Sequence, residues 1–329
     1  LGFTECMLGR PGGRHAHEAF AAWDGSVLSP TAYTPRMILG CVSLHELELA
    51  RAEELFRDEL AMAQEQGLEA IEVMARAHLA ETLIRAGHWA EALRCAEEAT
   101  AHARQAANEQ IAVGASFAQA LVGALLGHLD PSRTIATASL RRAEETGDAW
   151  FTISHRSVLG LIALTAGDAR AAVEVLSPAR RTMLERGFGN LSIFPVANVL
   201  GEACADAGEL AGALEVVRTL RSCPVGDEPW CAGIAARTEA LVASGEARHE
   251  ESVALAQAAV EAHAGLPEPF ERARTRHVQG VVERRARRGR RTKDLGKRLR
   301  PGDLAIIDHV DLDRVSAEEL AGSGVRAVV

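Results

Sequence analysis

Glycines at positions 87, 127, 167, 208, 245 and 289 each close an apolar, alanine-rich stretch, at intervals of 40, 40, 41, 37 and 44 residues. The stretches are alike: LAETLIRAG (79–87), LGLIALTAG (159–167), LGEACADAG (200–208) and EALVASG (239–245). A second amphipathic segment follows each glycine, as in WAEALRCAEEATAHARQ (89–105), DARAAVEVLSPARRTMLERG (168–187) and ELAGALEVVRTL (209–220). Glycine just past a helix supplies the left-handed residue that a helix C-terminus requires. Pro131, Asp168 and Glu209 suit the start of the second helix. The unit is therefore helix A, glycine turn, helix B. A period near 40 with two helices predicts an α-solenoid, each hairpin burying its apolar face against its neighbours. About six repeats fit between residues 34 and 289.

Composition agrees with helices. Ala, Leu, Glu and Arg dominate, and aromatics make up only 4%, with one tyrosine, Tyr33. An all-β or disulfide-rich chain is disfavoured. The six cysteines are scattered without CxxC pairs and read as small buried residues of a reducing cytoplasm. The uncharged run Gln110 to Leu129 is rich in Ala and Gly and reads as a buried helix, not a membrane span. No signal peptide is recognisable, and the first residue is Leu, so the chain reads as a fragment or a product of an unusual start.

Net charge is −9, yet Arg284 to Arg300 alone holds ten Lys/Arg and one acid, Asp294. The absence of aromatics there favours a solvated last helix and linker over a nucleic-acid contact. The periodicity then stops. Pro301-Gly302 is a turn, and Leu304 to Ile307 reads as a short strand. Ser316 with Glu319 opens a short helix, and Val325 to Val329 reads as a second strand. The predicted organisation is an irregular or truncated leading segment (1–33), a helical repeat domain (34–291), and a basic linker with a partial strand–helix–strand tail (292–329). The expected class is all-α, a tetratricopeptide-like solenoid with a short, incomplete α/β tail.

The segment LPEPFERARTRHVQGVVERRARRGRR (266–291), with its Pro-Phe-Glu-Arg-Ala-Arg-Thr run at 269–275, resembles the final repeats of large actinobacterial LuxR-type regulators, the ATP-dependent relatives of the maltose regulator. RAGHWAEALRCAEEA (85–99), GDAWFTISHRSVLGLIALTAGDARAAVEVLSP (147–178) and Phe194-Pro195 extend the resemblance over residues 35 to 291. It implies a tetratricopeptide-like arm that senses an effector or a protein partner. The family's Walker A loop, GxxxxGK[ST], and its helix-turn-helix do not occur in this sequence. KRLRPGDLAIIDHVDLDRVSAEELAGSGVRAVV (297–329) resembles a segment near the start of SteA-type septation proteins, which implies a join of two gene pieces.

No catalytic set is legible. Glu97-Glu98, Glu144-Glu145 and Glu318-Glu319 are adjacent pairs that diverge on a helix. Asp308, His309, Asp311 and Asp313 lack the glycine and distal Glu of a calcium loop. His249-Glu250-Glu251 lacks a second histidine, His15 and His17 fall in an irregular stretch, and Gly114 to Ala118 echoes a nucleophile elbow inside a helix. The expectation is a non-enzymatic, cytoplasmic protein with no cofactor, metal, nucleic-acid or membrane contact. A protein, peptide or small effector should bind the concave face, with His78, Glu81, Arg85, Gln119, His155, Arg156 and Asn198 as candidate liners on A helices. A free-standing scaffold, or a fusion product acting as a SteA-type division protein, is the alternative.

Overall fold

A computed structural model describes residues 1–10, 13–26, 33–105, 109–287, 304–305 and 327–328. It is an all-α solenoid. Two short helices, α1 (Gly2–Met7) and α2 (Gly13–Ala21), precede six hairpins of an A helix and a B helix. They are α3 (Pro35–His45) with α4 (Leu49–Gln66), α5 (Glu69–Ala86) with α6 (Trp89–Gln105), and α7 (Glu109–Leu125) with α8 (Leu129–Thr146). Then come α9 (Ala149–Thr165) with α10 (Ala169–Glu185), α11 (Ala197–Asp206) with α12 (Leu210–Ser222), and α13 (Pro229–Gly245) with α14 (His249–Ala262). A seventh A helix, α15 (Pro269–Arg287), closes the series. Successive A helices pack on one another from α5 to α15, so they form the inner layer and the B helices the outer.

The 40-residue period is set by one left-handed residue between A and B. It falls at Leu47 (φ 63°), Gly87 (85°), Gly127 (86°), Gly167 (83°), Gly208 (80°) and Ala247 (60°). The following residue donates its amide back into the helix, as His88 N does to the Leu83 carbonyl (2.8 Å) and Arg248 N to the Ala243 carbonyl (2.8 Å). Two expectations are corrected here. Gly245 is the last residue of α13, and Ala247 makes the turn. The first full hairpin turns on Leu47, which a search for glycine passes over. Gly289 lies outside the described residues. Of the expected helix-B starts, Asp168 caps α10 through the Ala171 amide (3.0 Å), while Glu209 makes no side-chain cap.

Seven residues before each left-handed turn stands a small buried residue: Gly40, Ala80, Ala120, Gly160, Gly201 and Ala240. Nine residues after each turn, on helix B, stand Phe56, Ala96, Ala136, Leu176, Val217 and Ala256, all buried. The two sets compensate in size. Gly40 accompanies Phe56 and Gly160 accompanies Leu176, alanine accompanies alanine, and the space at Gly201 is taken instead by Thr238 of α13, whose Oγ1 would lie 2.6 Å from a Cβ there. A Cβ built on Gly40 would lie 2.7 Å from the Phe56 ring, and one on Gly160 would lie 2.4 Å from Leu176 Cγ. The interhelical space has a nearly fixed volume, so each hairpin divides it differently.

The fourth hairpin step is broken. α11 has 10 residues where α9 and α13 have 17, because the chain over 188–196 enters the interior as irregular structure. Gly187, Gly189 and Pro195 oppose a helix there. Leu191, Ile193, Phe194 and Val196 are buried. Phe194 meets Trp150 edge-to-face at 4.7 Å, and Phe3 of α1 stacks near the same indole at 5.7 Å. The amides of Gly189 and Asn190 bond the Met7 carbonyl (2.9 and 3.1 Å). A Cβ on Gly189 would sit 2.2 Å from the Leu8 carbonyl oxygen, so the approach requires glycine. The leading segment is thus ordered into two helices against α3, with His15 on α2 paired to Glu5 (2.7 Å), where an irregular stretch was expected.

The superhelix also closes. Pro269 at the start of α15 touches the space over Gly87, Phe270 meets Trp89 at 6.1 Å, and Arg85 faces Glu268 at 3.7 Å. The last A helix therefore packs on the second. In the tail, β1 (Leu304–Ala305) pairs in parallel with β2 (Ala327–Val328), within the two expected strands. The expected intervening helix, the basic stretch from 288 to 300 and Asp308 to Asp313 lie outside the described residues.

Candidate functional site: the interior of the closed superhelix

The face of α5 that carries His78, Glu81 and Arg85 follows from helical spacing, since i, i+3 and i+7 share one stripe. The structure turns that stripe inward. There it borders two spaces, separated by Glu81 and Phe117.

The first space is a cavity of about 70 Å³ inside a charged network built from α5, α11, α13 and α15. Arg237 is its centre, at 0% exposure the largest fully buried side chain. Its Nη1 donates to Glu271 Oε2 (2.9 Å) and Thr275 Oγ1 (3.0 Å), and its Nε lies 2.8 Å from Glu202 Oε1. Arg274 holds the other oxygen of Glu202 (Nη2, 2.9 Å), and Asn198 Nδ2 donates to Glu271 Oε1 (2.7 Å). His263 Nδ1 is 2.9 Å from Thr275 Oγ1. Arg85 donates to the carbonyls of Ser192 (2.7 Å) and Ile193 (3.3 Å), fastening the inserted segment. Burial favours neutral Glu271, but Arg237 and Arg274 prevail and hold its carboxyl below the usual range. Burial, reinforced by the neighbouring Glu271 charge, pushes Glu268 up to about 7 against the pull of Arg85 and a hydrogen bond from the Trp230 side chain.

This network explains what the Pro-Phe-Glu-Arg-Ala-Arg-Thr run does physically. Pro269 and Phe270 make the closing contact, Glu271, Arg274 and Thr275 enter the network, and Arg272 Nη1 caps the Leu266 carbonyl (2.6 Å). The sequence marked these residues only as a family-like run. Their partners Glu202 and Arg237 carried no signal, because each stands among apolar and small residues of its helix, far in sequence from the groups it meets.

The second space is a cleft of about 530 Å³ between α1, α3, α5, α7 and α9. Phe3, Tyr33, Phe117, Trp150 and Phe151 line it, with His78 and Glu81. His78 stacks on Phe56 (5.3 Å, 18°), and its Nε2 is 3.0 Å from Tyr33 Oη. Burial lowers its pKa to about 4. Glu81 makes no hydrogen bond or ion pair within 4.0 Å among the described residues, and burial raises its pKa.

The remaining expected liners part company. Arg85 and Asn198 border the smaller cavity as members of the network. His155 is wholly buried behind Phe117, its Nε2 3.1 Å from the Val113 carbonyl, and no ligand reaches it. Arg156 turns outward, pairing with Glu144 of α8 (2.7 Å). Gln119 borders neither space, and its buried Oε1 has no hydrogen-bond partner among the described residues. Gly114 and Ser116 serve packing: Gly114 seats the Phe151 ring, and Ser116 bonds the Val113 carbonyl. Among the described residues no three His, Cys, Asp or Glu side chains are placed to hold a metal ion, and no helix is long and apolar enough to cross a membrane.

Neither a protein-family model nor a curated protein matches the chain. Solved structures do. A Rap protein, in its crystal structure complexed with Competence and Sporulation Factor, superposes with a TM-score of 0.56 at 14% identity, over 84% of this chain and 80% of that one. At that identity the likeness concerns the helical-repeat fold.

Proposed function

We propose that this chain is a non-catalytic sensing or interaction region, the helical-repeat arm of a LuxR-type transcriptional regulator, which holds a small effector or partner inside its closed superhelix. The observation that carries the reading is the 530 Å³ cleft on the inner, A-helix face, with His78 and Glu81 in its wall. That volume is the size of a small-molecule site. The Pro269–Thr275 run supports the family, because it both closes the ring and supplies the interior charges. The Rap structure supports a bound-factor role, since a helical-repeat protein of the same fold was solved with a factor bound. Non-catalytic use fits the interior carboxylates: Glu202 and Glu271 are committed to guanidinium groups. We assign the protein to the cytoplasm on the same reading. The parallel β1–β2 pair supports the tail as a piece of an α/β unit of SteA type joined to the arm.

The test maps the native transcript and its reading frame on both sides. A Walker A segment upstream and a helix-turn-helix downstream, in frame, are expected. A frame continuing into an α/β domain downstream assigns the protein to the division family instead. In the full-length product, Glu81→Gln should alter transcription from the target promoter. Unchanged output in every condition would remove the interior as the sensing site.

A further inference from the structure

The lining of the 530 Å³ cleft selects a ligand by its charge. The chain has thirteen Phe, Tyr and Trp residues, and five of them face this one space. The remaining aromatics are spread through the core, as Phe56, Trp89, Phe194 and Trp230 are, so among the described residues this is the space with the densest aromatic wall. Among the described residues no Arg or Lys lines the cleft. His78, half-buried and bonded to Tyr33, is neutral near pH 7. The Cys41 thiol is protonated, because burial raises its pKa well above the ordinary value. Among the described lining residues Glu81 is therefore the acid that carries charge once it gives up its proton.

Among the described residues Glu81 is the one acid of the lining, and it makes no hydrogen bond or ion pair. Arg85, one turn along α5, is the natural counter-ion by sequence. It is turned instead to the Ser192 and Ile193 carbonyls and to Glu268. A half-buried carboxylate in an aromatic-walled cleft with no ion pair is costly, and a cation entering the cleft would remove that cost. Aromatic ring faces attract the same cation through their quadrupoles. A carbohydrate fits poorly, since few side chains of the lining can bond its hydroxyls. An anion would meet Glu81.

We propose that the cleft binds a hydrophobic organic cation, an ammonium on an aryl or alkyl body, with the ammonium against the Glu81 carboxylate and the body among Phe3, Phe117, Trp150 and Phe151. The proposal rests on the reading of the interior as an effector site and names the effector's chemistry.

The experiment titrates the full chain at pH 8 with three probes of one size: phenethylammonium, 2-phenylethanol and 3-phenylpropionate. Calorimetry measures affinity, and tryptophan fluorescence reports on Trp150. The cation should bind about tenfold or more tighter than the alcohol, and the anion weakest. Glu81→Gln should erase the preference for the cation while leaving the alcohol within about twofold. Ala77→Phe, which fills the cleft, should abolish binding of all three with the helical circular dichroism unchanged. Equal affinity for cation and alcohol, or a preference that survives Glu81→Gln, overturns the ammonium assignment and leaves an effector cavity of other chemistry. Binding of none of the three overturns it as well. In that event a promoter response to Glu81→Gln still upholds the sensing role, and its absence removes both. Should Glu81→Gln fail to fold, the probe order on the unaltered chain decides alone.

Discussion

Single residues in this protein are held in states their side chains would not choose. Glu268 is the clearest. Burial raises its pKa from 4.5 to about 7, against the pull of Arg85. An acid raised in the folded chain binds its proton more tightly there, so its contribution to stability falls as pH rises between those values. Glu268→Gln should match the parent near pH 5 and be more stable near pH 8, by on the order of 1–3 kcal/mol. Urea denaturation at the two pH values checks this. His78 and His155, each lowered to about 4 by burial, act in the opposite sense but equally in both proteins, so they cancel in the comparison. Ala247 is strained in another way. It is exposed and sits at φ 60°, where its Cβ crowds the backbone. Ala247→Gly should raise stability by about 0.5–1 kcal/mol, and a lower denaturation midpoint would contradict the assignment of the turn.

Helices are where the sequence was most legible, and its failures have causes. Four of the six A–B turns are glycine at the expected place, because a left-handed residue without Cβ leaves a visible mark. Leu47 and Ala247 leave none, and Gly245 was mistaken for its neighbour's role. The compensating sizes on A and B become readable only once those two turns set the register. They make a prediction. Gly160→Ala alone should cost about 1–3 kcal/mol by overpacking against Leu176, and Leu176→Ala alone about 2–5 kcal/mol through the cavity it leaves. The double variant recreates the alanine pair of the second hairpin, Ala80 with Ala96. It should cost less than the sum of the singles by 1 kcal/mol or more, on the order expected for residues in contact. Additive costs in the thermodynamic cycle would show that the two positions do not share one space. Candidate residues were legible to the same depth. Helical spacing put His78, Glu81 and Arg85 on one stripe, but it could not tell that Arg156 turns outward or that His155 is sealed behind Phe117.

At the scale of the molecule, closure is the property that sequence periodicity cannot carry. Arg85 and Trp89 are about 180 residues from Glu268 and Phe270, and their contact imposes no repeat on the chain. An open solenoid unfolds as a row of neighbouring units. A closed one, with its interior threaded by residues 188–196, should unfold as a unit. Phe270→Ala should remove about 1–3 kcal/mol, since the ring is half-buried, and less if the seam opens. In either case hydrogen exchange should quicken at the C-terminal turn of α5 and at 188–196, far in sequence from the change. Quickening confined to α15 would mean that the closure carries no load.

Closure also gives the molecule two routes between any pair of its elements. Along the chain, α5 reaches α15 only through four more hairpins. Across the seam it reaches it in one step, through Arg85 and Glu268. The cleft beside Glu81 and the entry of the chain into α15, at Glu268 and Pro269, are therefore mechanical neighbours.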